Sequence, residues 1–439
     1  MNLQKLIKTP FSWWNNYWFN PAPFFDLAIC RILIVGFQLI RFVTNNFWGH
    51  LVEYSNLPNF LYEPLPVLQL LLLPFGADYR PPLFYTGTVF GLTIVAGILG
   101  LFGFLTNFSL ILFALGNIFI QAYLYSFRDF HHSEALVMIS LIVIAISPSG
   151  SVLSIDDLRR RIKFNRDREH FETFDLKEEN SPFARWPLLV IQWIFAIVYL
   201  DSGLSKLFKS GLDWMNGYTL QYYLWQDGLI WDRSFGIWFA KQHTLAVLSS
   251  WAAIIFEVAF FLVLIFPKLV WLFIPMGISF HTGIYIAQKA PFLKYFPSYS
   301  VFIPWAAIAK SISSGKNASN SKKVIEVLYD PQNSNHLRLM TIFCYLDSFN
   351  RLTFSDVKDR WQQLSETYSD ISLEEFKQEI NIVLADESMR RGFLAFKKIC
   401  LSLPLLYPLA IGFDLPIISK LSRNAYAFLI RGQEKSGIE

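Results

Sequence analysis

The chain of 439 residues is 53% hydrophobic, 17% aromatic and only 16% charged, whereas an ordinary soluble domain carries roughly a quarter charged residues. That balance excludes a disordered or fibrous chain and points to a membrane protein. A formal net charge of +4, from 38 basic and 34 acidic side chains, gives a nucleic-acid partner no electrostatic support.

The N-terminal stretch MNLQKLIKTPFSWWNNYW has no hydrophobic run before its aromatics, so no cleavable signal peptide is expected. A helix needs about 20 mainly apolar residues to cross the hydrocarbon core. Eight stretches qualify or nearly do: 24–44, 83–103, 107–126, 132–148, 186–204, 245–266, 269–288 and 294–311. The fourth is the weakest, with an apolar core only from Ala135 to Ile146. A shorter run at 65–75, flanked by prolines, reads as an interfacial or re-entrant piece.

Charge divides the chain. Residues 313–439 hold 31 charged side chains, and the loop 151–185 holds 16. A transmembrane α-helical bundle over 1–312 followed by a small soluble domain over 313–439 is therefore expected. Orientation follows from Lys and Arg in the loops. Lys5 and Lys8 precede the first span, and eight basic residues, including Arg159, Arg160 and Arg161, lie in the 151–185 loop. The 45–82 loop has only Arg80. Eight spans then place both termini and the C-terminal domain in the cytoplasm. On the opposite side, the segment 205–244 is rich in Trp and Tyr, which belong at the headgroup level. It is expected to lie along the outer interface and roof the bundle.

Cys30, Cys344 and Cys400 form no CxxC pair and no metal-ligand spacing. Ionisable groups inside the membrane are costly unless paired or facing a cavity. They are Asp26 and Arg31 in span one, His131, His132 and Glu134 at the mouth of span four, Asp201 and Lys206 at the end of span five, Glu257 in span six and His281 in span seven. Packed as a bundle, they converge most cheaply on a polar interior. Tyr199, Ser202 and Lys206 share one helix face, and Ser202, Gly203 and Ser205 permit close approach. A partly desolvated lysine there could serve as a general base; equally, it could snorkel to anchor the helix end. His281 reads either as a packed hydrogen-bonding residue or as a base. The His131-His132-Ser133-Glu134 cluster is either a solvated turn or part of a site. With no i, i+4 His pair and no HExxH, no metal site is expected.

The stretch Trp186–Leu220 resembles the hallmark of the HTTM family, the vitamin K-dependent gamma-carboxylase-like membrane domain. A span ends in Y-x-x-x-G-x-x-K (Tyr199, Gly203, Lys206), followed by Asp213-Trp214 and Gly217. Cys30-Arg31-Ile32, His131-His132-Ser133, Glu257 and Phe280-His281 resemble further segments in order, over about residues 20–310. The resemblance implies Lys206 as the base that deprotonates a reduced quinone, with His132 and His281 as its polar neighbours. It also places Tyr199, Trp214, Glu257 and Arg31 as candidate cofactor-binding residues. The chain departs from the carboxylases in having no large extracytoplasmic domain between Asp213 and the final spans.

The tail has its own resemblance, through Lys322–Asp330, Leu346-Asp347 and Arg351–Phe354, to the DCC-type thiol-disulfide oxidoreductase-like domain, a thioredoxin-like fold. Asn333 and His336 occupy the two cysteine positions of its YDG-x-C-x-x-C motif, so no dithiol exchange can occur there. The domain is expected to act as a scaffold or interaction module, with the leucine-rich end 401–433 as a helix pair docked at the membrane surface.

Two functions follow. One is a membrane enzyme of the carboxylase-like class that uses Lys206 on a quinone or another lipid-soluble substrate. The other is a non-catalytic maturation or export factor for a peptide, of the peptide toxin-maturation type, in which the polar residues hold the bundle together. A transporter is disfavoured by the lack of self-similar halves.

Overall fold

A computed structural model describes residues 12–76, 78–127, 134–319, 325–367, 372–413, 420, 422–424, 426 and 427. Its principal helices in chain order are α1 (Phe24–Thr44), α2 (Leu83–Phe102), α3 (Thr106–Tyr125), α4 (Ala135–Ile146), α5 (Ile155–Asp167), α6 (Pro182–Ser210), α7 (His243–Ala259), α8 (Val270–Gln288) and α9 (Ser334–Leu346). Two compact units result: Met1–Gly150 with Asn180–Pro304, and Ser151–Glu179 with Trp305–Glu439. The C-terminal part of the second unit begins at Trp305. The charged loop, however, does not stand alone: its first 29 residues fold with the C-terminal unit.

Among the described residues of the first unit, six helical stretches are long and apolar enough to cross a membrane: Phe24–Thr44, Leu83–Phe102, Thr106–Tyr125, Pro182–Asn216, His243–Ile265 and Pro267–Gln288. Their apolar residues do not all turn inward. On α2, Leu92, Val95, Ile98, Leu99 and Phe102 are exposed, a stripe that water would not tolerate and lipid would cover. Gly103 ends α2 in the left-handed region at φ 69°, where a glycine costs nothing. Leu105 then starts α3.

Helix α6 opens with Pro182 behind Ser181, whose hydroxyl accepts from the Phe183 N–H, the usual chemistry of a helix start. Near its start, Arg185 Nε donates to the Tyr17 carbonyl at 2.7 Å. Short strands β1 (Ala22–Pro23) and β2 (Asn180–Ser181) pair antiparallel, so α1 and α6 start side by side. Between α6 and α7 run two short helices, Tyr218–Ile230 and Ser234–Ala240. Tyr218, Tyr222, Tyr223, Trp225, Trp231 and Trp238 are exposed on and between them.

Two of the eight expected spans need correction. Stretch 132–148 is helical only over Ala135–Ile146, and residues 128–133 lie outside the described set. Stretch 294–311 is not one helix. It divides into a 3₁₀ segment, Phe292–Phe302, and a separate helix, Trp305–Ser319, that belongs to the second unit. Pro297 sits within the first piece and Pro304 at the break. Each lacks an N–H and clashes with the turn before it, so an α-helical ladder cannot run through.

The second unit holds a four-stranded sheet in the order β4–β3–β5–β6, with β3 (Ile325–Tyr329), β4 (Leu352–Asp356), β5 (Asn381–Val383) and β6 (Met389–Arg391). Strands β3 and β4 are parallel, joined through α9, while β5 and β6 form antiparallel pairs. Val327, Met340, Phe343, Ile382 and Ile399 fill its core. At the C-terminal end, Leu403, Ala410, Phe413 and Tyr426 bury into this unit's own core, and the Tyr426 hydroxyl accepts from the Ile380 N–H. Leu405, Tyr407 and Ile411 of the leucine-rich end stay exposed.

Candidate functional site

Helix α6 carries two polar groups on the face that the spacing marked. At its C-terminal end, Lys206 Nζ lies 2.6 Å from Glu257 Oε1 and 2.5 Å from Oε2, across on α7. The same ammonium donates to Ser202 Oγ at 2.9 Å, and Ser202 donates to Glu257 Oε1 at 3.2 Å. Gly203 permits this approach, because a Cβ there would meet Val258 Cγ2 at 2.8 Å and Glu257 Cβ at 3.1 Å. Glu257 is nearly enclosed, with 6% of its side chain exposed, while Lys206 keeps 23%. Trp214 stands beside it, its ring centroid 5.3 Å from Nζ. Exposed Phe208 and Leu212 flank the helix end.

Two turns earlier, Tyr199 Oη hydrogen-bonds to His281 Nε2 at 2.7 Å and to Tyr299 Oη. His281 stacks on Phe292 and meets Tyr295 edge-on. Its Nδ1 is buried without a hydrogen-bond partner among the described residues. Lys206 and His281 thus belong to separate hydrogen-bonded groups along one helix; no hydrogen bond joins them. His131 and His132 lie outside the described residues.

Arg31 is buried elsewhere in the first unit, where Nη1 donates to the Ser149 carbonyl at 2.9 Å. This ties α1 to the turn after α4 and does not bring Arg31 to Lys206 by any hydrogen bond.

A second ionic cluster was not singled out from the sequence. Arg41 grips Glu134 with two hydrogen bonds, at 2.8 and 3.1 Å, and Lys294 also donates to Glu134. Arg41 continues to Gln38 at 2.8 Å, and Gln38 to Asn117 at 2.7 Å. All five side chains are buried. Arg41 lies inside the 24–44 stretch, so the rule that marks Arg31 covers it as well. Lys294 opens the 294–311 stretch, but its partner is 160 residues away and sequence spacing does not show it. Among the described residues, no group of three or more His, Cys, Asp or Glu is placed to hold a metal ion.

In the second unit, Asn333 and His336 have structural work. Asn333 caps α9, its Oδ1 accepting from the Asn335 and His336 N–H groups. His336 is fully buried and accepts from the Asp330 N–H at 3.2 Å. Burial pushes its pKa down to about 4. Cys344 and Cys400 are free thiols, and burial raises them to about 11 and about 12, away from reactive thiolates. No family model, no curated protein and no solved structure matches the chain.

Proposed function

We propose that the first unit is a membrane-embedded proton-transfer site of the gamma-carboxylase-like class, with Lys206 as the base acting on a lipid-soluble substrate. The observation that carries this reading is the Lys206–Glu257–Ser202 group, with the carboxylate enclosed and the amine partly open beside Trp214. An ammonium is not a base. In a low-dielectric setting, however, the ion pair is penalised against its neutral form. Passing one proton from Lys206 Nζ to Glu257 leaves an amine and a carboxylic acid with unchanged total charge. The amine can then take a proton from a substrate hydroxyl, while Ser202 holds both partners in line.

The donor set fits a reduced quinone. An indole face and exposed apolar side chains suit its ring, and an amine suits its hydroxyl. When bound, a reduced quinone supplies an acidic hydroxyl and a reducing ring. Trp214 would hold the ring, and Lys206 Nζ would hold the proton. The buried, unpartnered His281 Nδ1 is a further polar atom for the site, in keeping with the role the resemblance gives His281. We assign Tyr199 the task of orienting His281, and Arg31 that of fixing the fold around the site.

Topology supports eight crossings with both termini in the cytoplasm. The β1–β2 pair puts residues 22 and 181 on one side, so the crossings between them number an even count. Helices α1, α2 and α3 supply three, and α4 completes four. Likewise 151–179 and 305–439 form one unit, so an even count separates them as well. Helices α6, α7 and α8 supply three, and Phe292–Phe302 the fourth, its 3₁₀ rise covering about 22 Å. The Lys and Arg bias then sets the cytoplasmic side. In the second unit, the β–α–β arrangement followed by an antiparallel β-pair and a helix supports a thioredoxin-like reading, and the positions taken by Asn333 and His336 support a scaffold role.

The test uses purified protein in nanodiscs supplied with a reduced quinone, with quinone oxidation and oxygen uptake followed together. Wild type is expected to turn over, while Lys206→Ala, folded and equally abundant, loses at least about a hundredfold, the scale of a lost general base. Equal rates in both proteins, or no bound lipid recovered from wild type, would favour the non-catalytic maturation-factor reading, in which the ion pair ties α6 to α7.

A further inference from the structure

The second unit contains a cavity of about 310 Å³ lined by Arg159, Ile162, Lys163, Arg166, Ser334, Asn335 and Arg338. Four of these side chains are cationic and none is acidic. Arg159, Ile162, Lys163 and Arg166 recur at helical spacing, so they form one face of α5. Ser334, Asn335 and Arg338 do the same on the first turns of α9. The two faces close a basic groove over a single apolar residue.

The distribution of counter-charges along α5 makes the groove specific. Asp157 lies on the opposite face and takes both Arg160, at 2.5 Å, and Arg161, at 2.9 Å. Glu179 takes Arg161 as well. Of the groove cations, Arg166 has only the neighbouring Asp167, at 3.5 Å and exposed. Lys163 and Arg338 make no ion pair among the described residues. The helix amides of α9 do not supply the site, because Asn333 Oδ1 already accepts from the first of them. The attraction comes from the side chains.

We propose that this groove binds a phosphate-bearing anion, in which two or more phosphate oxygens are shared among Arg159, Lys163, Arg166 and Arg338, with Ser334 and Asn335 as neutral donors. Guanidinium forks on two helices match phosphate oxygens bidentately. Lys163 and Arg338, without an ion pair among the described residues, call for a ligand of charge about −2 or more, as a phosphomonoester or pyrophosphate carries at neutral pH. The cavity has the lower end of the size range of small-molecule sites. A ligand of this chemistry is either a free phosphate compound or the headgroup of a phosphorylated lipid. The proposal stands apart from the Lys206 site and does not depend on it.

The test uses the full-length protein in two arms. In neutral detergent, inorganic pyrophosphate is titrated by calorimetry; in nanodiscs, phosphatidylcholine alone is compared with phosphatidylcholine containing phosphatidylinositol 4-phosphate, read by lipid co-purification. Wild type is expected to bind pyrophosphate, more weakly as salt rises. K163Q and R338Q each weaken binding about tenfold, the scale of one charge-assisted contact, while the exposed control K358Q leaves it unchanged. Binding of pyrophosphate with no lipid preference identifies a free phosphate ligand. Enrichment of the phosphorylated lipid, lost in the K163Q/R338Q double variant, identifies the headgroup. All three substituted side chains are exposed, so a folding failure is not expected, and a thermal melt checks it. Absence of binding to both probes, or equal binding by the double variant, would overturn the proposal.

Discussion

Two ion clusters in the first unit use the same chemistry to different ends. Arg41, Glu134 and Lys294 have 8%, 8% and 6% of their side chains exposed. Two cations from α1 and the 3₁₀ segment share one carboxylate, and Gln38 and Asn117 extend the chain of hydrogen bonds. Lys206 and Glu257, by contrast, are one cation and one anion, with the amine end open. The closed cluster is a tie between distant segments, since its three charged side chains are enclosed and two cations share its one carboxylate. In the proposed reading, the open pair exchanges a proton internally and then with a visitor, and exposure of the nitrogen, more than the presence of charge, separates the two clusters.

The sharpest break in that comparison comes from the closed cluster. Glu134→Gln strands two buried cations, a loss of about 3–5 kcal/mol, and is expected to abolish the monodisperse folded protein on size exclusion. Recovery of that variant at wild-type stability would show the cluster to be no tie.

The same principle extends to the second unit, where His336 is enclosed and neutral. Its pKa of about 4 lies below the ordinary value of 6.5, so the folded state disfavours the proton that the unfolded chain accepts. The stability it contributes is whole above pH 6.5 and is lost as pH falls toward 4, by at most about 3 kcal/mol. Chemical denaturation followed at several pH values is expected to show that slope, and His336→Gln to flatten it.

A smaller effect tests the geometry of the open pair. Gly203→Ala puts a methyl group against Val258 and Glu257 and is expected to cost about 1–3 kcal/mol. It should also part Lys206 from Glu257, so a melting shift without loss of quinone turnover would separate the packing from the proposed chemistry.

Much of the open site was legible in the sequence. The i, i+3, i+7 spacing placed Tyr199, Ser202 and Lys206 on one face, and hydropathy marked Glu257 as an intramembrane acid needing a partner. Their pairing was not legible, because Lys206 and Glu257 lie on different helices and only packing chooses between partners. Lys294 escaped for the same reason. The eighth stretch was misread only as one continuous helix: its residues are apolar enough to cross, but a hydropathy window does not register where prolines interrupt backbone hydrogen bonding. The charged loop was read only through its charges, since α5 is polar overall, and its packing became visible only once Asn165 met Thr341 at 2.9 Å.

In the proposed reading, Lys206 is a reachable, exchanging amine while Lys294 is locked. Intact protein in nanodiscs can be treated with a membrane-soluble acylating reagent that attacks only neutral amines, and modification at each lysine followed by peptide mass spectrometry across pH. The account predicts that Lys206 is acylated at least about tenfold faster than Lys294, and that Glu257→Gln changes its pH dependence. Equal, slow labelling of the two lysines, with no effect of Glu257→Gln, would contradict it.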